Sequence, residues 1–278
     1  MRLFRQMQLC RQVHGLTRGQ WRRIICICLV TVVLPLKAGQ DRKIDTVFQY
    51  SAINALLAGV YDGDLTLESL AEHGNTGIGT INGIDGEMIV LDGVFYSIKS
   101  DGLAYKLAPG EKTPFAVVAF LNAEVESVLK ETSSVDVLTK HLDTLIDAHN
   151  AIQVIRIDGS FTQLTLRSEP KQTRPYRPLA ELMAEEQVKF ELNDVKGTMI
   201  GFRMPDYMTG LNVPGYHFHF ITDDRKRGGH VLNLQMISGQ VTLDTQRGFN
   251  MVLPNIPLFN EAMLGSDREK ELESVEQN

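Results

Sequence analysis

The chain has 278 residues, 43% of them hydrophobic and 22% charged, enough for one or two domains with real cores; disordered and collagen-like classes are excluded. The net charge of −6 is unevenly spread: residues 1–40 carry seven Lys/Arg and no acid, leaving 21 basic against 34 acidic residues in a body at −13. Nucleic-acid phosphates need a basic face, so a nucleic-acid partner is excluded.

Residues 1–23 are basic and polar and run into thirteen apolar residues, 24–36. That is short of the roughly 20 residues a spanning helix needs, but it fits the apolar region of an export signal, with Ala38 and Gly39 as small residues near a cleavage point. Residues 1–40 are therefore expected to be a signal-like segment and the protein to be exported, periplasmic or secreted; a cytoplasmic location is the alternative. Cys10, Cys26 and Cys28 all lie in this segment, so the body has no disulfide framework, thiolate nucleophile or Cys-ligated zinc. A metal there must be held by His and carboxylate.

Val47, Ile53, Leu56, Leu57 and Val60 recur at helical spacing until Tyr61-Asp62-Gly63-Asp64 and predict an amphipathic helix. Thr66 is positioned to cap a second short helix through Ala71. Asn82-Gly83, Asp85-Gly86, Asp92-Gly93 and Asp101-Gly102 then punctuate β-prone runs over 87–91, 94–98 and 103–107, as in an antiparallel meander. Helices are predicted near 123–130 and from a Ser134 cap to about His149. Strands follow at 152–157 and 161–166, then a Pro-bracketed loop at 170–178 and a helix near 179–186. The last strands are expected at 188–192, 198–202, 216–222 and 231–236. The charged, helix-prone tail after Ser266 has Leu272 and Val275 as its aliphatic anchors. The expected class is α+β, mixed α/β and strand-rich, with a subdomain over 41–150, a β-rich metal-binding subdomain over 151–265 and a tail, 266–278, reaching the active site.

Three of the body's six histidines, His217, His219 and His230, fall within fourteen residues. On an alternating strand His217 and His219 share one face, and Phe218 and Phe220 the other. A hairpin through the polar loop 223–229 returns His230 near Ile221, diagonal to His219 and within side-chain reach. Three imidazoles with an open fourth position suit a catalytic divalent metal, zinc by default. The plain alternative is a set of polar residues on a solvated strand. His73 reads as a helix-terminus cation, and His141 and His149 as solvated.

A metal acting on a small acidic substrate needs an acid or base and a cation for carboxylate. Glu87 opens a β-run just after a tight turn, and Arg167 ends an alternating strand; each could equally be a surface residue. The Gly-rich run from Gly74 to Thr80 lacks Gly-Lys-Ser/Thr and is no nucleotide loop; Thr80 offers it a hydroxyl.

The runs Phe48–Gly63, Gly77-Ile-Gly-Thr-Ile-Asn-Gly83, Asp85-Gly-Glu-Met-Ile-Val-Leu-Asp-Gly93, Ile157-Asp-Gly-Ser-Phe161 and Gly215-Tyr-His-Phe-His-Phe220 with Gly229-His230 together resemble the α-acetolactate decarboxylase family over residues 45–278. The resemblance implies a zinc enzyme, a carboxy-lyase converting (S)-2-acetolactate to (R)-acetoin and CO2 in acetoin and 2,3-butanediol metabolism, on a two-domain α/β fold that forms homodimers. It puts the zinc (Zn2+) ligands at His217, His219 and His230, a substrate-binding hydroxyl at Thr80, and catalytic groups at Glu87 and Arg167. A second Glu comes from the tail, at Glu276, with Glu261, Glu271 and Glu273 as alternatives. Two rival readings are a cupin-like metalloenzyme, oxygenase or isomerase, and a non-catalytic exported binding module.

Overall fold

The computed structural model describes residues 45–265 and 268–276; the signal-like segment and the three cysteines lie outside them. The strands in chain order are β1 Thr46–Tyr50, β2 Leu65–Thr66, β3 Thr76–Thr80, β4 Glu87–Leu91, β5 Val94–Ile98, β6 Ala104–Lys106, β7 Lys112–Thr113, β8 Phe115–Ala119, β9 Val125–Thr132, β10 Ile152–Ser168, β11 Val188–Met204, β12 Gly215–Thr222, β13 Gly228–Gln246 and β14 Gly248–Val252. The helices are α1 Ile53–Leu57, α2 Leu67–Ala71, α3 Val135–Leu145, α4 Leu179–Glu186, α5 Pro257–Glu261 and α6 Glu269–Glu276.

A seven-stranded sheet runs β14-β1-β8-β3-β4-β5-β6, antiparallel except for the β1–β14 pair. Its central strands β3, β4 and β8 are buried at every residue because both faces are covered. The second sheet runs β10-β11-β12-β13-β9 and closes on itself through a β10–β13 pairing. Ile78, Ile89 and Ile98 of the first sheet share a core with Ile200, Phe202 and Ile221 of the second, which packs the sheets face to face. The sheets do not divide at residue 150: β9 edges the second sheet, and β14 edges the first.

Several elements differ from expectation. Only Ile53–Leu57 is helical in the first predicted helix; Val47 lies on β1, paired with β14 and β8. The stretch near 123–130 is a strand, not a helix. Its solvent face carries the charges that resemble a helix surface, while Leu129 and Thr132 are buried and the backbone pairs with β13. The runs 152–157 and 161–166 form one continuous strand, as do 188–192 and 198–202, and β13 extends ten residues past Met236. Asp158-Gly159-Ser160 has the composition of a turn, but Gly159 lies opposite both Gly197 and Gly239 in one row across three strands. A Cβ at Gly197 would sit 2.4 Å from the Phe220 ring, so the row lets three long strands bend around a filled interior. The capping expectations match: Thr66 Oγ1 accepts from Ser69 N–H, and Ser134 Oγ from Val137 N–H.

Candidate active site: three histidines in a carboxylate-lined cleft

Phe218 and Phe220 are buried in the interior of the second sheet, which turns His217 and His219 to the opposite face, toward the first sheet. The hairpin register differs from expectation by two residues. Gly228 lies opposite Ile221, so His230 lies directly opposite His219 rather than diagonal to it. Arg167 is the partner of His230 on β10, and one row across three strands thus presents a guanidinium and two imidazoles to the same side.

The first sheet supplies the facing wall. Thr80 and Glu87 pair across the loop 81–86 joining β3 and β4. Thr80 Oγ1 donates to Gly86 O at 2.8 Å; Gly86 has φ 92°, and a Cβ there would meet Ile98 O at 2.3 Å. This loop aims the Glu87 carboxylate inward, with Oε2 3.2 Å from His219 Nε2 and Oε1 3.8 Å from Arg167 Nη1.

The tail closes the third side. Leu272 and Val275 pack among α1 and α4 residues, and Glu276, four residues after Leu272, shares their helix face. Glu276 Oε2 lies 3.7 Å from His230 Nε2 and 4.0 Å from His217 Nε2. The other tail candidates are elsewhere: Glu271 pairs with Arg268, and Glu273 and Glu261 are exposed. Ile53, Leu56, Ile84, Phe115, Leu179 and Met183 complete a small cleft.

Glu169 is a site residue that the sequence reading passed over. It is 3% exposed and lines the same cleft. Strand alternation puts it on the face of Arg167, two residues earlier, and that spacing was available in the sequence. Burial, then the Glu169 charge, holds the Glu87 carboxyl well above its ordinary range. Burial pushes Glu169 up to about 7, although Arg167 and a hydrogen bond with Glu87 pull it down. Burial also raises Glu276, against the pull of Arg167. Arg167 therefore faces a pocket of three carboxyls, each held above its ordinary range by burial.

All three histidines are held neutral. Burial, then His219 and Arg167, lowers His217; burial and then Arg167 lowers His230; and burial brings His219 down to about 3. His219 Nδ1–H donates to Met88 O at 2.7 Å, which leaves its Nε2 lone pair facing the others. His217 Nε2 stands 3.1 Å from both His219 Nε2 and His230 Nδ1. Nitrogens around a tetrahedral zinc at its usual bond length are about 3.3 Å apart. Neutral nitrogens crowded this closely, one with its lone pair fixed inward, match the donor set of a bound cation.

A sequence profile of the α-acetolactate decarboxylase family matches residues 47–266. The chain is 44% identical to the α-acetolactate decarboxylase of Methanosarcina mazei over 84% of this chain and 80% of that protein. It is 37% identical to the Klebsiella aerogenes enzyme over 90% and 97%. The crystal structure of α-acetolactate decarboxylase from Bacillus subtilis strain 168 superposes with a TM-score of 0.81 at 35% identity, covering 84% of this chain and all of that one. With its mixed sheets, its site and these relatives in agreement, the chain belongs to the α-acetolactate decarboxylase family of carboxy-lyases.

Proposed function

We propose that this protein is a zinc-dependent decarboxylase that converts (S)-2-acetolactate to (R)-acetoin and CO2. The observation that carries the reading is the convergence of three neutral histidine nitrogens beside a buried Glu87, Arg167 and Glu276. Decarboxylation breaks the bond from the carboxylate to C2. Its electron pair moves toward the neighbouring ketone oxygen, and C2 then takes a proton. Zinc held by His217, His219 and His230 would supply the Lewis acidity that draws this electron pair onto oxygen.

The chain's own residues do the rest. Arg167, anchored at the end of β10, binds the substrate carboxylate and orients the breaking bond against the open side of the histidine cluster. Glu87, its carboxyl raised by burial beside His219, is placed to give a proton to C2 from one side, which fixes the handedness of the product. Glu169, hydrogen-bonded to Glu87 and poised near neutrality, returns the proton to it. Glu276 faces the histidines from the tail and limits proton delivery from that side. Thr80 lines the pocket; with its hydrogen given to Gly86 O, its Oγ1 is left to accept from the substrate's hydroxyl, and the apolar wall takes the two methyl groups and excludes water.

The test is CO2 release from 2-acetolactate by the purified chain before and after zinc removal. The expected result is loss of turnover on depletion and recovery with one equivalent of Zn2+; undiminished turnover in zinc-free protein would refute zinc dependence. The basic-then-apolar segment of residues 1–40 further supports export, and the family resemblance supports a homodimer. N-terminal sequencing of protein recovered outside the cytoplasm and sedimentation equilibrium test these two readings.

A further inference from the structure

A second convergence of ligand atoms lies outside the histidine cleft. Asp45, just before β1, Glu124, just before β9, and Asp244, near the end of β13, each bring a carboxylate oxygen within 4.8 Å of the other two. Among the described residues no ion pair joins any of the three to a basic side chain.

Each carboxylate is oriented by a donor on one oxygen. Asn122 Nδ2 donates to Asp45 Oδ1 at 3.1 Å, and Thr245 N–H donates to Glu124 Oε2 at 3.2 Å. Asp244 Oδ2 accepts from Asn122 N–H at 2.7 Å and from Gln246 Nε2 at 2.8 Å. Asp244 is wholly buried, yet its other oxygen, Oδ1, has no hydrogen-bond partner. Gln246 is 1% exposed; its amide already lies against Asp244, and its Oε1 is likewise buried without a donor. Two orphaned buried acceptors beside a triple negative charge are costly unless a cation meets them. Burial, and then the Asp45 and Glu124 charges, push the Asp244 carboxyl up to about 6, still ionised at neutral pH.

We propose that Asp45, Glu124 and Asp244 form a structural calcium site. Oxygen-only donors select a hard cation over zinc, which prefers the imidazole cluster. Three carboxylates of mixed burial suit the irregular six- to eightfold shell of Ca2+ better than the strict octahedron of Mg2+. The ion would join the start of β1 in the first sheet to β13 and the entry to β9 in the second. It would thereby clamp the two sheets to each other.

The experiment uses the zinc-loaded full chain in calcium-free buffer, titrated calorimetrically with CaCl2 alone, with thermal melts in parallel. One Ca2+ per chain with a dissociation constant of about 1 mM or tighter, and a melting temperature that rises with Ca2+, is expected. Asp244→Asn should weaken binding at least tenfold and abolish the rise. Glu124→Gln, at the exposed rim where folding is not at stake, should weaken binding by a similar factor while melting like wild type without calcium. Absence of binding at 10 mM CaCl2, or binding unchanged in Glu124→Gln, would overturn the proposal.

Discussion

Replacing Arg167 by Met separates catalysis from stability at this site. Arg167 is 3% exposed, and its Nη1 lies 3.8 Å from Glu87 Oε1. At an effective dielectric of about 20, a full carboxylate at that distance interacts with it by roughly 4 kcal/mol. A substrate carboxylate seated there would gain a similar amount, less its desolvation, so loss of the cation should cost about 3 kcal/mol in the transition state. That corresponds to a fall of about a hundredfold in kcat/KM, at roughly 1.4 kcal/mol per decade. Stability should suffer less. Burial holds the Glu87 carboxyl well above its ordinary range, which favours its neutral form, and Glu169, at about 7, can take a proton at little cost. The buried acids thus neutralise themselves, and unfolding free energy should drop by no more than about 2 kcal/mol. Arg167→Lys keeps the charge but loses the planar fork and should retain about a tenth of wild-type kcat/KM. Steady-state acetolactate kinetics paired with urea unfolding measure both. If Arg167→Met keeps more than a third of wild-type kcat/KM, or loses activity only in proportion to its unfolded fraction, the carboxylate-anchor argument is wrong.

Glu87→Gln should lower kcat about a hundredfold or more with KM within threefold, because it removes a proton donor and little binding; unchanged kcat and unchanged product handedness would exclude Glu87 as the donor. Glu169 has a folded pKa of about 7, above its unfolded value of 4.5, so wild type gains stability from this group as pH falls from 7 to 4.5 and is penalised for it above 7. Glu169→Gln should therefore be more stable than wild type by about 2–3 kcal/mol above pH 7, with the advantage vanishing near pH 4.5; a pH-independent difference in urea unfolding would contradict this. Deleting residues 268–278 removes buried Leu272 and Val275 together with Glu276. It should cost about 3–5 kcal/mol of stability and at least a hundredfold in kcat/KM, and full activity in the truncated chain would remove the tail from the site.

The functional face was legible where alternation alone decides it. His217 and His219 against Phe218 and Phe220 is a period-two pattern, and burial of the phenylalanines leaves the histidines one direction to point. Register was less legible, because the return of His230 depends on where pairing begins after the loop. Gly228 pairs already, two residues earlier than a hairpin centred on residues 223–229 implies. The glycines misled for a related reason: Asp158-Gly159 is a turn signal in isolation, and only the facing Gly197 and Gly239 make it a bend within a strand. The stretch 123–130 failed because an edge strand with an exposed charged face has the composition of a surface helix. Glu276 was reached by resemblance, because the helical period leaves Glu271, four residues before Val275, as near the buried stripe as Glu276, four after Leu272; only the packed tail separates them. Glu169 needed only the alternation that placed Arg167, carried two residues further.

Racemic 2-acetolactate turned over by the purified, zinc-reconstituted chain, with acetoin resolved on a chiral column against an enzyme-free blank, joins the metal, the proton donor and the substrate in one readout. Rapid formation of acetoin in a single (R) form is the predicted result. Product no faster than the blank, or racemic acetoin, from folded zinc-loaded protein would contradict a decarboxylase in which Glu87 delivers the proton from one side.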